Sequence, residues 1–314
     1  MTITQLEYIV AVDTHRHFMV AAEKCFVTQP TLSMQIQKLE DELGIKLFDR
    51  TKKPVIPTEI GEQIIAQARN VIRDVNLIQQ IVDEQKDITS GELRIGIIPT
   101  LAPYLLPLLY PRMQEKYPQL HLRIKESITR DIINDLKNNR LDCALVVTPL
   151  QETSIKEDVL FYEEMFVYVS ANHALANKRF VVPNDIHPDK LWLLEEGHCF
   201  RSQVLNLCEL KHNNDLHFSY QTGNIESLKR MVDKSDGLTI MPELAIAEFN
   251  DEQRKRVKKI QQPRPVREVS LVTHRDHMKT KLIQSLRHEI IEIIPKHMRQ
   301  VQQKRVVPLD GIHI

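Results

Sequence analysis

The sequence predicts an α/β protein with an all-α N-terminal part, and three observations predict it. Short helical stretches joined by a tight turn fill the first sixty residues. One unbroken helical seam runs from about 59 to 88. Beyond residue 91, strand-like and helix-like runs alternate. A chain of 314 residues is long enough for two or three domains with ample cores. Apolar content of 42% with 27% charged residues reads as globular. Lys+Arg and Asp+Glu are both 42, which excludes an overall basic field but not local basic patches. There is no run of eighteen apolar residues, so no membrane span is expected. The N-terminus lacks a basic stretch followed by an apolar one, so a cytoplasmic protein is expected. The 4 cysteines are too few for a structural disulfide framework, and in a reducing compartment a disulfide is usually transient, catalytic or redox-sensing.

Leu6, Ile9 and Val10 recur at helical spacing and predict a first helix over about 3–13. A second, short helix runs through Met19–Cys25, where Ala21 and Ala22 permit close helix crossing. After a turn at Phe26–Thr28, Pro30 opens a third helix whose buried stripe is Leu32, Ile36, Leu39 and Leu43; Gly44 ends it. This is a helix-turn-helix pattern. The outer face of the third helix offers Gln29, Thr31, Ser33, Met34, Gln37 and Lys38, whose amides and hydroxyls suit base edges and phosphates. A short hairpin, or wing, is expected over 47–58, with Arg50, Lys52 and Lys53 placed for phosphate or minor-groove contact. The other reading is a three-helix packing domain with a solvated basic loop. Residues 1–60 carry seven basic side chains (Arg16, Lys24, Lys38, Lys46, Arg50, Lys52, Lys53) against eight acidic ones (Glu7, Asp13, Glu23, Glu40, Asp41, Glu42, Asp49, Glu59). One copy is therefore expected to bind DNA weakly, and several copies on repeated half-sites would compensate.

Ile64, Ala68, Val71, Val75, Ile78 and Val82 are spaced as an a/d seam within a helix over about 59–88. That seam predicts pairing with a second copy; packing on the helix's own domain is the alternative. Thr89-Ser90-Gly91 marks the boundary. Strands are then expected at Leu93–Pro99, Leu120–Glu126, Asp142–Val147, Met165–Ser170, Leu191–Glu195, Leu216–Gln221, 237–242 and Val269–Thr273. Helices are expected at Leu101–Lys116, Thr129–Asn139, after Cys199, at Ile225–Lys234 and at Lys279–Met298. The alternation predicts a largely parallel sheet with helices on both faces. Ligands then bind at the carboxyl ends of strands, which gathers Thr100, Thr129 and the 195–201 turn around one crevice.

Cys199 and Cys208 stand nine residues apart, and His198 and Arg201 flank the first. A reactive thiol needs a lowered pKa, and His198, Arg201 and a helix N-terminus at Cys199 are candidates for lowering it. A helix over 200–208 would hold the two residues about 13 Å apart along its axis. A disulfide needs Cα atoms about 4.4–6.8 Å apart, so the bond could form only by remodelling the segment. The other reading makes both cysteines ordinary small core residues. Cys25 and Cys143 are expected to be core residues. His15 with His17, and His173, His187, His212 and His217, lack metal-ligand spacing, so neither metal nor cofactor is expected. Lys296, His297, Arg299, Lys304 and Arg305 make a basic end, read as a solvated helix terminus, with a secondary DNA contact as the alternative.

Ala21-Ala22-Glu23, Thr28-Gln29-Pro30-Thr31-Leu32-Ser33, Ile36-Gln37-Lys38-Leu39-Glu40, Leu47-Phe48-Asp49-Arg50 and Thr58-Glu59-Ile60-Gly61 resemble the N-terminal domain of LysR-type transcriptional regulators. Met34 and Gln37 depart from arginines that many members carry there. Gly197-His198-Cys199-Phe200-Arg201 with Cys208, Ile98-Pro99-Thr100 and Leu141-Asp142-Cys143 resemble the peroxide-sensing members of that family; Ser202 departs from an acidic residue common there.

The resemblance implies a winged helix-turn-helix domain (1–58), a dimerisation helix (59–88) and a two-subdomain, periplasmic-binding-protein-like regulatory domain (91–302), followed by a tail (303–314). The subdomains it implies are 91–163 with 266–302, and 164–265. Cys199 is then the peroxidatic and Cys208 the resolving cysteine, with Thr100, Thr129, His198 and Arg201 forming the peroxide pocket. DNA contacts fall to Gln29, Pro30, Thr31, Ser33, Gln37, Lys38, Arg50, Lys52 and Lys53. Implied partners are promoter DNA, RNA polymerase, hydrogen peroxide, a glutaredoxin- or thioredoxin-type reductant and further copies in a homotetramer, a dimer of dimers. The chain would regulate rather than catalyse. The alternative expectation is a regulator that answers to a small metabolite in the crevice. A thiol peroxidase or disulfide oxidoreductase would leave residues 1–60 unexplained, and the chain has no Cys-x-x-Cys motif.

Overall fold

The computed structural model describes residues 1–85, 91–208, 222–261, 263–275, 277, 280–300 and 304–309. The chain divides into two units, Met1–Ile88 and Thr89–Ile314.

The first unit contains α1 (Ile3–His15), α2 (Phe18–Lys24), α3 (Gln29–Leu43), the antiparallel pair β1 (Phe48–Asp49) and β2 (Ile56–Pro57), and α4 (Glu59–Gln85). Local chemistry sets the ends of these helices. Thr2 and Gln5 form a reciprocal capping box at the start of α1, with bonds of 2.9 and 3.3 Å. Thr28 caps α3, Pro30 lies in its first turn, and Gly44 ends it at φ +68°. Ile9, Val12, Leu32, Ile36, Leu39 and Leu47 are fully buried in the core. Glu40 is buried on α3 and gathers the hairpin. Its carboxylate accepts from Leu47 N (2.9 Å), Lys46 Nζ (3.3 Å) and Arg50 Nη2 (3.2 Å). Gly61 lets α4 pass the hairpin, because a Cβ there would sit 2.1 Å from the Leu47 carbonyl oxygen. The start of α4 packs on its own unit through Ile65 and Ala68, and Arg69 pairs with Asp13 at 2.6 Å. Ala68 of the predicted seam is thus used internally. Farther along, Val71 is 36% and Ile78 68% exposed. The side chain of Val82 lies outside the described residues.

The second unit contains β3 (Gly91–Ile97), α5 (Ala102–Lys116), β4 (Leu120–Glu126), α6 (Thr129–Lys137), β5 (Cys143–Thr148), β6 (Ile155–Val169), β7 (Phe180–Val181), α7 (Cys199–Leu207), α8 (Ile225–Lys234), β8 (Leu238–Pro242), α9 (Glu243–Ala247), α10 (Asp251–Lys255), β9 (Val257–Ile260), β10 (Arg264–His274), α11 (Thr280–Ile293) and β11 (Lys304–Val306). Strands β4, β3 and β5 are parallel neighbours. Strand β10 then runs antiparallel to both β5 and β6. The residues of β6 up to Glu164 pair with β10, and those from Met165 pair with β8 and β9. One long strand therefore carries the chain from one half of the sheet to the other.

The expected largely parallel sheet is corrected to a mixed one, because the two long strands β6 and β10 lie antiparallel at its centre. The expected strand at Leu191–Glu195 does not form. Leu191 makes one isolated bridge to Leu238, and the Leu194 carbonyl is taken by a side chain, Arg201. The helix expected to reach Met298 ends at Ile293, before Pro295, and a single 3-10 turn follows at Lys296–Arg299. The strand expected at 216–221 lies outside the described residues.

Candidate functional site

The carboxyl ends of β3 and β4 carry the first half of the site. Ile98-Pro99-Thr100 follows β3, and Thr129 opens α6 just beyond β4. The second half is the start of α7. Gly197 adopts φ +91°, a conformation costly for other residues, and turns the chain into the helix at Cys199. Thr100, Thr129, His198, Cys199 and Phe200, with Ile98, Pro99 and Ile128, line one cavity. It leaves about 10 Å³ for the centre of a water-sized molecule, room for one. Pro99, Ile128 and His198 also line an adjoining crevice of about 490 Å³, together with Glu126, Asp131, Glu195 and Gly223.

Cys199 Sγ and Thr129 Oγ1 are 2.8 Å apart, and both residues are buried. Burial pushes the Cys199 thiol up; the Thr129 hydroxyl, the backbone and Arg267 pull it down less strongly. The expected lowering is therefore reversed by desolvation, and the resting group is a thiol. Burial also lowers His198 despite Glu195 Oε1 at 3.7 Å, so His198 is neutral rather than a source of charge. Arg201 is not among the residues lining the cavity. Its Nη1 donates to the Leu194 carbonyl at 2.8 Å and its buried Nε has no partner among the described residues.

The cation that does act on Cys199 is Arg267 of β10, which sequence reasoning missed. It is fully buried and donates to Glu163 through Nε at 2.8 Å and Nη2 at 2.7 Å. Nη1 donates to Thr100 Oγ1 at 2.8 Å, and Nη2 to the Thr100 carbonyl at 3.1 Å. The Arg267 guanidinium lies 5.1 Å from the Phe200 ring centroid, so it also touches the first turn of α7. Burial pushes the Glu163 carboxyl up, against the pull of Arg267 and of the Leu244 amide, which donates to it at 2.8 Å. The usable signal was an Arg and a Glu, Arg267 and Glu163, each inside a strand-like run. A buried Arg almost always has a paired acid.

Cys208 caps the far end of α7 and is buried in the core, where desolvation pushes its thiol up to about 12. Both thiols are free. Their separation of nine positions along a helix is about 13 Å and about half a turn of rotation. Among the described residues, no group of three or more His, Cys, Asp or Glu side chains is arranged to hold a metal.

In the first unit, Gln29, Pro30, Lys38, Lys52 and Lys53 are exposed. Others of the expected DNA-contact set are engaged internally. Thr31 Oγ1 meets Thr28 Oγ1 at 2.8 Å, and Gln37 donates to Asp41 at 2.7 Å. Arg50 donates to Ser33 at 3.3 Å and to Glu40, and lies 5.1 Å from the Phe18 ring centroid. Phe26, in the turn before α3, is 95% exposed at φ +56° and was not anticipated.

A helix-turn-helix unit with a hairpin, followed by a separate α/β unit with a ligand-sized crevice, defines a two-part DNA-binding regulator. Residues 3–62 match the family described as bacterial regulatory helix-turn-helix protein, lysR family. Residues 86–294 match the LysR substrate binding domain. The chain belongs to the LysR family of transcriptional regulators. It is 38% identical over 247 residues to the DNA-binding transcriptional dual regulator OxyR of Escherichia coli (strain K12), covering 78% of this chain and 80% of that protein. A full-length OxyR C199D structure from Pseudomonas aeruginosa has a TM-score of 0.80 at 33% identity, over 93% of this chain and 98% of that one. A hydrogen peroxide-bound variant of Corynebacterium glutamicum OxyR has a TM-score of 0.60 at 25% identity, over 93% and 92%.

Proposed function

We propose that the protein is a transcription regulator that senses hydrogen peroxide through Cys199. The observation that carries this reading is the small cavity in which a buried thiol meets the Thr129 hydroxyl at 2.8 Å, with Thr100 and His198 on its walls. The cavity, with room for one water-sized molecule, widens to take both oxygens of a neutral oxidant. Thr129 and Thr100 hydroxyls orient the peroxide oxygens, neutral His198 offers a ring nitrogen, and Arg267 provides the nearby positive charge. Arg201 acts by fixing the Leu194–Cys199 turn.

Attack by the sulfur on one peroxide oxygen breaks the O–O bond. The other oxygen leaves as hydroxide and takes the thiol proton, giving Cys199 sulfenic acid and water. The Cys208 sulfur then attacks the sulfenic sulfur and expels a second water, leaving a Cys199–Cys208 disulfide. Because α7 holds the two residues about 13 Å apart, the bond requires α7 to be rebuilt. A thiol reductant of the glutaredoxin or thioredoxin type returns two electrons and resets the protein.

The change is read through DNA. The exposed Gln29, Pro30 and Lys38 of α3, with Lys52 and Lys53 of the hairpin, meet promoter DNA, and Thr31, Ser33, Gln37 and Arg50 shape that surface. Copies pair along α4, where Val71 and Ile78 are exposed, and assemble as a dimer of dimers that recruits RNA polymerase. The test is parallel promoter footprinting and thiol labelling before and after peroxide. A changed footprint with Cys199 and Cys208 both protected from alkylation supports the reading; two fully alkylatable thiols after peroxide refute it. The crevice of about 490 Å³ favours a second reading, a small-metabolite inducer, under which Cys199→Ser leaves induction intact.

A further inference from the structure

The segment after α11 returns to the redox helix. Strand β11 lies parallel to β10, with Arg264 opposite Lys304, Pro265 opposite Arg305 and Val266 opposite Val306. The Val307 amide donates to the Val266 carbonyl at 2.9 Å, Val307 is buried, and Leu309 packs against the core. The carbonyls of the two residues just past β11, Val307 and Pro308, accept from α7. Gln203 Nε2 donates to Val307 O at 2.9 Å, and Asn206 Nδ2 donates to Pro308 O at 3.2 Å. Gln203 is fully buried, and its Oε1 has no partner among the described residues. Burying an amide with half of its polar capacity unmet is unfavourable for the helix itself. The one hydrogen bond that its side chain makes among the described residues goes to the returning strand.

We propose that Gln203 and Asn206 are positioning residues for the disulfide-forming step: by tying α7 to residues 304–309 they hold it helical and restrain that step, and the disulfide in turn sets the strand free. This rests on the reading of Cys199 and Cys208 as the redox pair. Both tying residues lie between the two cysteines, in the stretch whose helical form keeps the sulfurs apart. Closing a gap of about 13 Å to disulfide range withdraws both side chains from the Val307 and Pro308 carbonyls. The released strand lies beside Val266, the neighbour of Arg267, so the change reaches the buried pair that orders Thr100. The chemistry is that of the two-step oxidation above. The first step, thiol to sulfenic acid, needs no movement of α7. The second, loss of water between sulfenic acid and the Cys208 thiol, does.

The experiment uses the full-length protein and its variants Asn206→Ala and Gln203→Met/Asn206→Ala. Sulfenic acid at Cys199 is trapped with dimedone, and disulfide formation is followed by intact mass without the trap. The expected result is an unchanged sulfenic acid rate with disulfide formation about tenfold faster in the double variant, the factor that one to two ordinary hydrogen bonds carry. Asn206→Ala, which changes a solvent-facing contact, shifts it in the same direction. In the unaltered protein, oxidation raises amide exchange over 304–309. Equal disulfide rates, or both steps accelerated together, overturn the proposal, as does unchanged exchange over 304–309. If peroxide yields no sulfenic acid in the unaltered protein, the sensor reading fails. The disulfide is then made with diamide, which is reduced to the hydrazine as two thiols are oxidised, and the exchange of 304–309 still decides the role of the strand.

Discussion

Replacing Arg267 with Met separates the structural and chemical roles of the buried pair. The substitution removes the contacts to Glu163 at 2.7 and 2.8 Å and the bonds to Thr100 at 2.8 and 3.1 Å. Both members of the pair are fully buried, so Glu163 is left as an uncompensated acid in the core. Breaking such a pair from one side costs about 3–5 kcal/mol. Adding Glu163→Gln removes the stranded acid and keeps an oxygen for the Leu244 amide. The double variant then lacks mainly the two Thr100 bonds, at about 1 kcal/mol each, and should unfold within about 2 kcal/mol of the original. Reactivity should not return with stability. Arg267 is the positive charge that pulls the Cys199 thiol down, so its loss lowers the thiolate fraction and slows peroxide oxidation at neutral pH. Urea unfolding gives the first quantity, and dimedone trapping against peroxide concentration gives the second. A single variant costing under about 1 kcal/mol, or a double variant regaining both stability and rate, refutes the reasoning.

Thr129→Val keeps the shape and removes the hydroxyl 2.8 Å from Cys199, so sulfenic acid should form about five- to tenfold more slowly, as a lost hydrogen bond of about 1 kcal/mol predicts; an unchanged rate excludes a role for that contact. The raised Cys199 pKa means a protonated thiol at neutral pH, so the oxidation rate should climb about tenfold per pH unit from 7 towards 9. A plateau near pH 7 in rates measured at constant ionic strength would contradict the burial effect. A raised thiol pKa also stabilises the fold below the unfolded value near 9 and loses that contribution as pH rises, so α7 should loosen above pH 9, and less so in Cys208→Ser, by circular dichroism. Ile78→Asp places a charge on an apolar position that is 68% exposed and should shift the protein towards monomer in sedimentation, while Ile78→Leu should not.

Much of this fold is legible from short-range signals. Pro30, Gly44 and the Leu32–Ile36–Leu39 stripe place α3, and the runs 120–126 and 225–234 coincide with β4 and α8. Long-range pairing is less legible. Strand β6 spans 15 residues without a break signal, because it changes partners while staying extended. The thiol pocket divides the same way. Thr100, Thr129, His198 and Cys199 could be gathered from their places at strand and helix ends. Arg267 could not, since its partners Glu163 and Thr100 lie 104 and 167 positions away in the chain. Nor could the direction of the pKa shifts. Charged neighbours are visible in a sequence, whereas desolvation depends on what the fold stacks around the group, and here desolvation prevails for Cys199 and His198 alike.

Under the proposed pairing of Cys199 with Cys208, the packing of α7 carries oxidation beyond the thiol pocket. Phe200, Val204 and Cys208 stand four apart, so they form one stripe, and all three are buried in the main core. Cys199 lies about half a turn from Cys208, on the opposite side. A disulfide therefore demands translation and rotation together, which no rotamer change can supply. Drawing Cys208 round to Cys199 dismantles the stripe from its far end, starting with a residue whose thiol burial in the core keeps protonated. Phe200 is the stripe's other end, and its ring covers the Arg267 guanidinium. That guanidinium holds Thr100 on the cavity wall and Glu163 on the strand that joins the two halves of the sheet. One covalent event at Cys199 would thus be tied, through the contacts of Phe200 with Arg267 and of Arg267 with Thr100 and Glu163, to the centre of the regulatory unit. Phe200→Leu keeps an apolar anchor but removes the aromatic face. It should leave the disulfide able to form and weaken the peroxide-dependent change in footprint; an unaltered footprint change would cut Phe200 out of the path.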